Sequence, residues 1–139
     1  MVDRNILTAS IEAIEKHLLS LSTYAKLSRK DFLSDLNVQD IVEYNLFQIV
    51  NHLIDMLQHI VVDENLGFPE SAYDAVELLH ARGFLSHGES EILRRMIGFR
   101  NIVGHDYIDL NKETVHEILT NGQQDINNIL SAITKNFFR

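Results

Sequence analysis

Residues 37–60 read NVQDIVEYNLFQIVNHLIDMLQHI, and their apolar members Val38, Ile41, Val42, Leu46, Ile49, Val50, Leu53, Leu57 and Ile60 fall at helical spacings on more than one face. A helix apolar along one stripe covers a core from outside, whereas one apolar on several faces has to be surrounded by other elements. The stretch therefore predicts a central helix running from about Asn37 to near Gly67. Before it, Leu7, Ile11, Ile14, Leu18, Leu21 and Ala25 alternate spacings of four and three, the stripe of a helix packed nearly parallel to its neighbours, over about Asp3 to Tyr24. Ser28 with Asp31 three residues later resembles a capping box and opens a short helical turn.

Beyond the central helix, Pro69 suits the start of a shorter helix carrying Ala75, Val76, Leu78 and Leu79, and Gly83 suits the left-handed position that closes it. Ser86 with Glu89 is a second capping box, opening a helix through Ile92, Leu93, Met96, Ile97 and Val103. The last helix starts around Asn111 and presents Val115, Ile118, Leu119, Gly122, Ile126, Ile129, Leu130 and Ile133 on one side. With one proline, six glycines and no sustained alternation of β-branched residues, the expected fold is all-α. Long helices with short connections predict an up-and-down bundle of four to five main helices, one domain over residues 1–139.

The absence of cysteine excludes disulfides and thiolate zinc sites, and residues 1–5 lead into amphipathic helix without the apolar core of a signal peptide. A cytoplasmic protein with no membrane contact is expected, since no apolar run approaches the ~20 residues that span a bilayer. Twelve Lys and Arg against twenty Asp and Glu leave a net charge of −8, which disfavours non-specific binding to long nucleic acid. Any RNA contact must then be local. The stretch holding Arg82, Arg94, Arg95 and Arg100 opposes the trend, countered within it by Glu89 and Glu91 alone.

Residues 98–107, GFRNIVGHDY, bring a permanent cation, an imidazole and a phenol together where a helical pattern ends. Arg100 can neutralise phosphate oxygens bidentately, and an imidazole such as that of His105 can move protons near neutral pH. Together they suffice for metal-free phosphodiester chemistry. Five residues of α-helix turn the chain by ~500°, so the two side chains diverge by ~140° unless the helix breaks before His105 or two copies face each other across a twofold axis. Gly104 is suited to a left-handed break. Extended backbone after the helix directs His105 and Tyr107 to one side, and Asn101 can donate to a phosphate, orient the histidine or cap the local backbone. Gly98 costs up to ~1 kcal/mol relative to alanine in a helix, which suggests close approach of another helix or a ligand.

The run Gly-Phe-Arg-Asn-x-x-x-His-x-Tyr resembles the HEPN superfamily, and within it the HepT toxins of bacterial and archaeal toxin–antitoxin pairs. The order of helices, the Pro-Glu-Ser at 69–71 and the Ala-Val-Glu-Leu-Leu at 75–79 agree over nearly the full chain. The run departs from the family's usual pattern at Gly104, where an aliphatic residue is more common. The resemblance implies a HEPN-type bundle that dimerises so that two Arg-x4-His motifs form a ribonuclease groove needing neither metal nor cofactor. Arg100 and His105 would be its catalytic pair, supported by Asn101 and Tyr107. It also implies a minimal nucleotidyltransferase antitoxin as partner, which transfers AMP to Tyr107.

Two other readings compete. A catalytically silent module could use the same groove for a nucleotide or for docking a nucleotidyltransferase. Alternatively, Glu77-x-x-His80 and Glu113-x-x-His116 have the spacing that holds paired metals in carboxylate-bridged bundles, with Glu12, Glu15 or Glu43 as further ligands. His52, Asp55 and His59 also share a helix face, where satisfied polar positions are the simpler account. His17 and His87 have no supporting constellation.

Overall fold

A computed structural model describes residues 2–105 and 110–138, and over them the chain forms six helices. They are α1 (Arg4–Ser22), α2 (Arg29–Leu33), α3 (Leu36–Asp63), α4 (Ala72–Ala81), α5 (His87–Val103) and α6 (Lys112–Phe137). Five are main helices and α2 is the short turn that Ser28 caps by accepting from Asp31 N–H at 3.1 Å. As the many-faced pattern requires, α3 is the core: Val42, Ile49, Leu53, Met56, Ile60 and Val61 have no exposed surface. No described helix is long and apolar enough to cross a membrane.

Polar contacts fix how the others surround it. At one end the Val2 N–H donates to Glu64 Oε1 at 3.4 Å, and further along His17 Nδ1 lies 2.8 Å from Asn45 Oδ1, so α1 runs antiparallel to α3. The start of α6 is tied to α3 by Lys112 Nζ on Glu43, 2.8 and 2.9 Å from its two oxygens. Farther on, Gln123 Nε2 donates to Leu18 O at 3.4 Å and the Arg4 guanidinium lies 5.0 Å from the Phe138 ring centre, which makes α6 antiparallel to α1. The pairing of Arg94 with Glu77 and of His87 with His80 likewise sets α5 antiparallel to α4.

Helix ends follow local hydrogen bonding, and it moves three expected boundaries. The first helix stops at Ser22, short of Tyr24, because the Tyr24 and Ala25 N–H groups both return to Leu21 O. The central helix closes at Asp63, not near Gly67: Asn65 takes the left-handed conformation (φ 57°), its N–H bonds Val62 O, and Leu66 N–H bonds Val61 O. That double bond is the Schellman closure, with buried Leu66 and Val61 supplying its apolar contact. Pro69 does not open α4. Ser71 does, accepting from Asp74 N–H at 3.1 Å while Asp74 Oδ2 accepts from Glu70 N–H at 3.0 Å. Gly83 closes α4 at φ 79°, and Ser86 and Glu89 form the expected reciprocal capping box at 3.1 and 2.8 Å.

Candidate functional site

The capping box starts α5 in a register that turns Leu93, Met96 and Ile97 into the core. Arg100 follows Leu93 by seven residues and Ile97 by three, so it falls on the same inward stripe at the helix's last turn. Its side chain is half-buried, and Arg100 Nε is shielded from solvent with no hydrogen-bond partner among the described residues. A buried donor left unmet costs ~1–3 kcal/mol. A guanidinium held in that state is prepared for an anion that the described residues do not supply.

The other basic groups of this stretch are placed differently. Arg94 is committed to Glu77 of α4 at 2.6 Å, with Glu91 at 4.0 Å, while Arg95 is exposed and borders the space between α5 and α6. Arg82 caps α4. Glu77 is the counter-charge that the linear sequence did not associate with the arginines, because it arrives from another helix. The four arginines therefore do not make one basic spot.

Gly104 does not break the helix by turning left-handed: its φ and ψ are −65° and −17°. Its N–H still reaches Arg100 O at 2.9 Å, and His105 N–H reaches Ile102 O at 3.0 Å. Satisfying those last carbonyls keeps the chain winding in the helical sense up to His105, which is exposed. Arg100 thus lies on the inward stripe of α5 while His105, beyond the helix end, is exposed. Asn101 is exposed on a third direction, and its amide caps no described backbone group. Tyr107 lies outside the described residues, as does Asp106.

Gly98 is not forced by a close approach among the described residues, for a Cβ there would lie 3.6 Å from the hydroxyl of Tyr73 on α4, an ordinary contact. Sequence spacing gave no sign of that phenol beside the motif helix. A groove of about 390 Å³ also opens between α5 and α6, bordered by Phe99, Ile102 and Leu110 next to the motif. It joins two helices whose pairing no local pattern specifies.

The metal alternatives lose their ligands to structural partners. Glu77 holds Arg94, Glu113 holds Arg29, and His116 Nε2 lies 3.0 Å from Leu27 O. Glu43 is taken by Lys112. His59 sits 3.8 Å from Asp55, whereas the His52 ring stacks 6.1 Å from His17. No group of three metal-ligating side chains occurs among the described residues.

Comparison with known proteins identifies relatives of this bundle. Residues 8–133 match a family model described as Ribonuclease HepT-like. The chain is 32% identical over 102 residues to the mRNA nuclease HepT of Shewanella oneidensis, covering 73% of this chain and 77% of that protein. Among solved structures, it superimposes on a tri-AMPylated Shewanella oneidensis HEPN toxin in complex with MNT antitoxin, with a TM-score of 0.86 and 28% identity over 98% of this chain and all of the other. A toxin–antitoxin structure with AMP-PNP gives a TM-score of 0.86 at 26% identity, over 95% of this chain and 99% of that one.

Proposed function

The chain belongs to the HepT-like ribonuclease family, and from that membership we propose that it is the toxin of a toxin–antitoxin pair, a metal-independent endoribonuclease acting through Arg100 and His105. The observation that carries the proposal is the half-buried guanidinium of Arg100 with its Nε unpartnered at the end of α5. A core-facing cation with no counter-ion among the described residues is a poor structural element and a suitable receiver for a phosphodiester. Because Arg100 and His105 diverge within one chain, both reach a single phosphate only when two copies pair, so the active unit is a homodimer.

In that groove, His105 of one copy removes the proton from a ribose 2′-hydroxyl, whose oxygen attacks the adjacent phosphorus. The bond to the departing 5′-oxygen breaks as the partner's imidazole returns a proton to it. The products are a 2′,3′-cyclic phosphate and a free 5′-hydroxyl. Arg100 stabilises the charge that develops on the non-bridging oxygens. Asn101, exposed one residue on, donates to a flanking phosphate. The net charge of −8 limits RNA attraction to this spot, which fits attack on single strands delivered locally.

The antitoxin would be a minimal nucleotidyltransferase. Tyr107 would attack the α-phosphorus of ATP, losing its phenolic proton and releasing pyrophosphate, and the attached AMP would occupy the Arg100 cation and block RNA. The relatives solved with their antitoxins, one of them tri-AMPylated, support this partner class.

The test is cleavage of single-stranded RNA by purified wild-type and His105→Ala protein, each with and without EDTA. Wild-type protein should cut in EDTA and leave cyclic phosphate ends. His105→Ala should lose at least ~10²-fold in rate while keeping the wild-type circular dichroism spectrum. Equal rates for the two proteins would overturn the assignment, and inhibition by EDTA would overturn the metal-free scheme.

A further inference from the structure

We propose that Tyr73 is a substrate-positioning residue, whose phenol hydroxyl donates a hydrogen bond to an RNA phosphate next to the scissile one, beside the Asn101 amide. This role rests on the ribonuclease reading above and adds to it a contact supplied by α4.

Tyr73 is the second residue of α4 and stays 37% exposed, yet it reaches across to α5, where its hydroxyl lies 3.6 Å from the place that a Cβ would take on Gly98. The hydroxyl has no hydrogen-bond partner among the described residues. A phenylalanine would cover the same surface, so the oxygen is what this position adds. Asp74, the next residue, is already engaged, since its Oδ2 accepts from Glu70 N–H at 3.0 Å.

The face that the hydroxyl overlooks changes character along α5. Glu91, Arg94, Gly98 and Asn101 follow one another at spacings of three and four, and so form one stripe. Its first part is self-neutralised, because Arg94 is held by Glu77 and Glu91. Beyond Arg94 the stripe is uncharged: Gly98 contributes no side chain and Asn101 an exposed amide. Glycine weakens a helix relative to alanine, and an alanine at 98 would make only an ordinary contact with Tyr73. The missing side chain thus serves no packing among the described residues, and it leaves the hydroxyl and the helix backbone beside it open to a ligand. Residues three apart on a helix are neighbours, so a hydroxyl over Gly98 and an amide on Asn101 can serve adjoining linkages of one strand. That strand leads to the end of α5, where the unpartnered Arg100 Nε receives the scissile phosphate.

Neutral donors suit this chain. Hydroxyls and amides regularly donate to phosphate oxygens and set the register of a strand without reading its bases. At a net charge of −8 the protein gains no long-range attraction for RNA, so the strand has to be held by short-range contacts of this kind.

Steady-state cleavage by the full chain tests it, with wild type and Tyr73→Phe acting on a single-stranded RNA and on the same RNA carrying one methylphosphonate linkage, placed in turn at each phosphate flanking the mapped cut. A methylphosphonate lacks one accepting oxygen and the charge. Tyr73→Phe should raise KM about tenfold with kcat and circular dichroism unchanged, the signature of a contact made equally to substrate and transition state. One methylphosphonate position should cost wild type a similar factor and cost Tyr73→Phe nothing further. An unchanged KM, or methylphosphonates that cost both proteins alike at every position, would overturn the contact and leave the nuclease standing. A fall in kcat at constant KM would also overturn it, by assigning the phenol to the support of α5. If wild type cuts no RNA, the nuclease reading fails and fluorescence anisotropy with the unmodified RNA decides the contact: binding weakened about tenfold by Tyr73→Phe sustains it, and equal binding overturns it as well.

Discussion

Replacing Arg100 with methionine is expected to make the chain more stable and catalytically dead. The native residue lies on the inward stripe of Leu93 and Ile97, and its guanidinium Nε is shielded with no partner among the described residues. Methionine keeps an unbranched apolar stem against the same neighbours and deletes the unmet donor. Relief of one such group is worth ~1–3 kcal/mol when it is fully enclosed, and a half-buried residue places the expectation at the lower end, about 1 kcal/mol. For a chain of 139 residues that corresponds to a rise of about 3 °C in Tm. Urea unfolding repeated over a range of protein concentrations separates the difference from any change in dimer formation. RNA cleavage by the same preparation should fall to background. A variant less stable than wild type by 1 kcal/mol or more would refute the reasoning, because it would mean that the guanidinium is already satisfied in the folded protein and is not held in reserve for substrate.

Other perturbations probe the elements that hold the site. Gly104→Ala should stabilise by about 0.4–1 kcal/mol, since the residue is helical and a Cβ there meets only Arg100 O at 3.4 Å and Asn101 O at 3.7 Å; a lowered melting temperature would contradict the αR assignment. Ser86→Ala removes one half of the capping box of α5 and should cost about 1 kcal/mol in urea unfolding. Leu53→Ala, at a position with no exposed surface, should cost ~2–5 kcal/mol, and a loss below 1 kcal/mol would place it outside the core. Incubation with the nucleotidyltransferase and ATP should add adenylyl groups to the intact mass, and a gain surviving Tyr107→Phe would remove that tyrosine as the acceptor.

The distribution of readable and unreadable features has a common cause. Ser28, Asn111 and the Ser86–Glu89 box were recognisable because a cap is satisfied by backbone three or fewer residues away. The close of α3 was misplaced onto Gly67 because asparagine also tolerates the left-handed conformation, and Asn65 reaches the open carbonyls first. Gly98 gave no sign that Tyr73 faces it at ordinary contact distance, since that neighbour comes from 25 positions away on another helix. The same limit hid Glu77, which takes Arg94 out of the supposed basic spot.

What the sequence determined by itself is the all-α fold, the burial of α3 and the family, because hydrophobic period, capping chemistry and a ten-residue motif are all local relations along the chain. Tertiary structure alone decided that Arg100 Nε is shielded with no partner among the described residues, that Glu77, Glu113 and His116 are spent on Arg94, Arg29 and a backbone carbonyl, and that a charged-rim groove lies beside the motif. Those outcomes depend on which helices meet, and a side chain's partner across a helix interface leaves no periodicity in the sequence that supplies it.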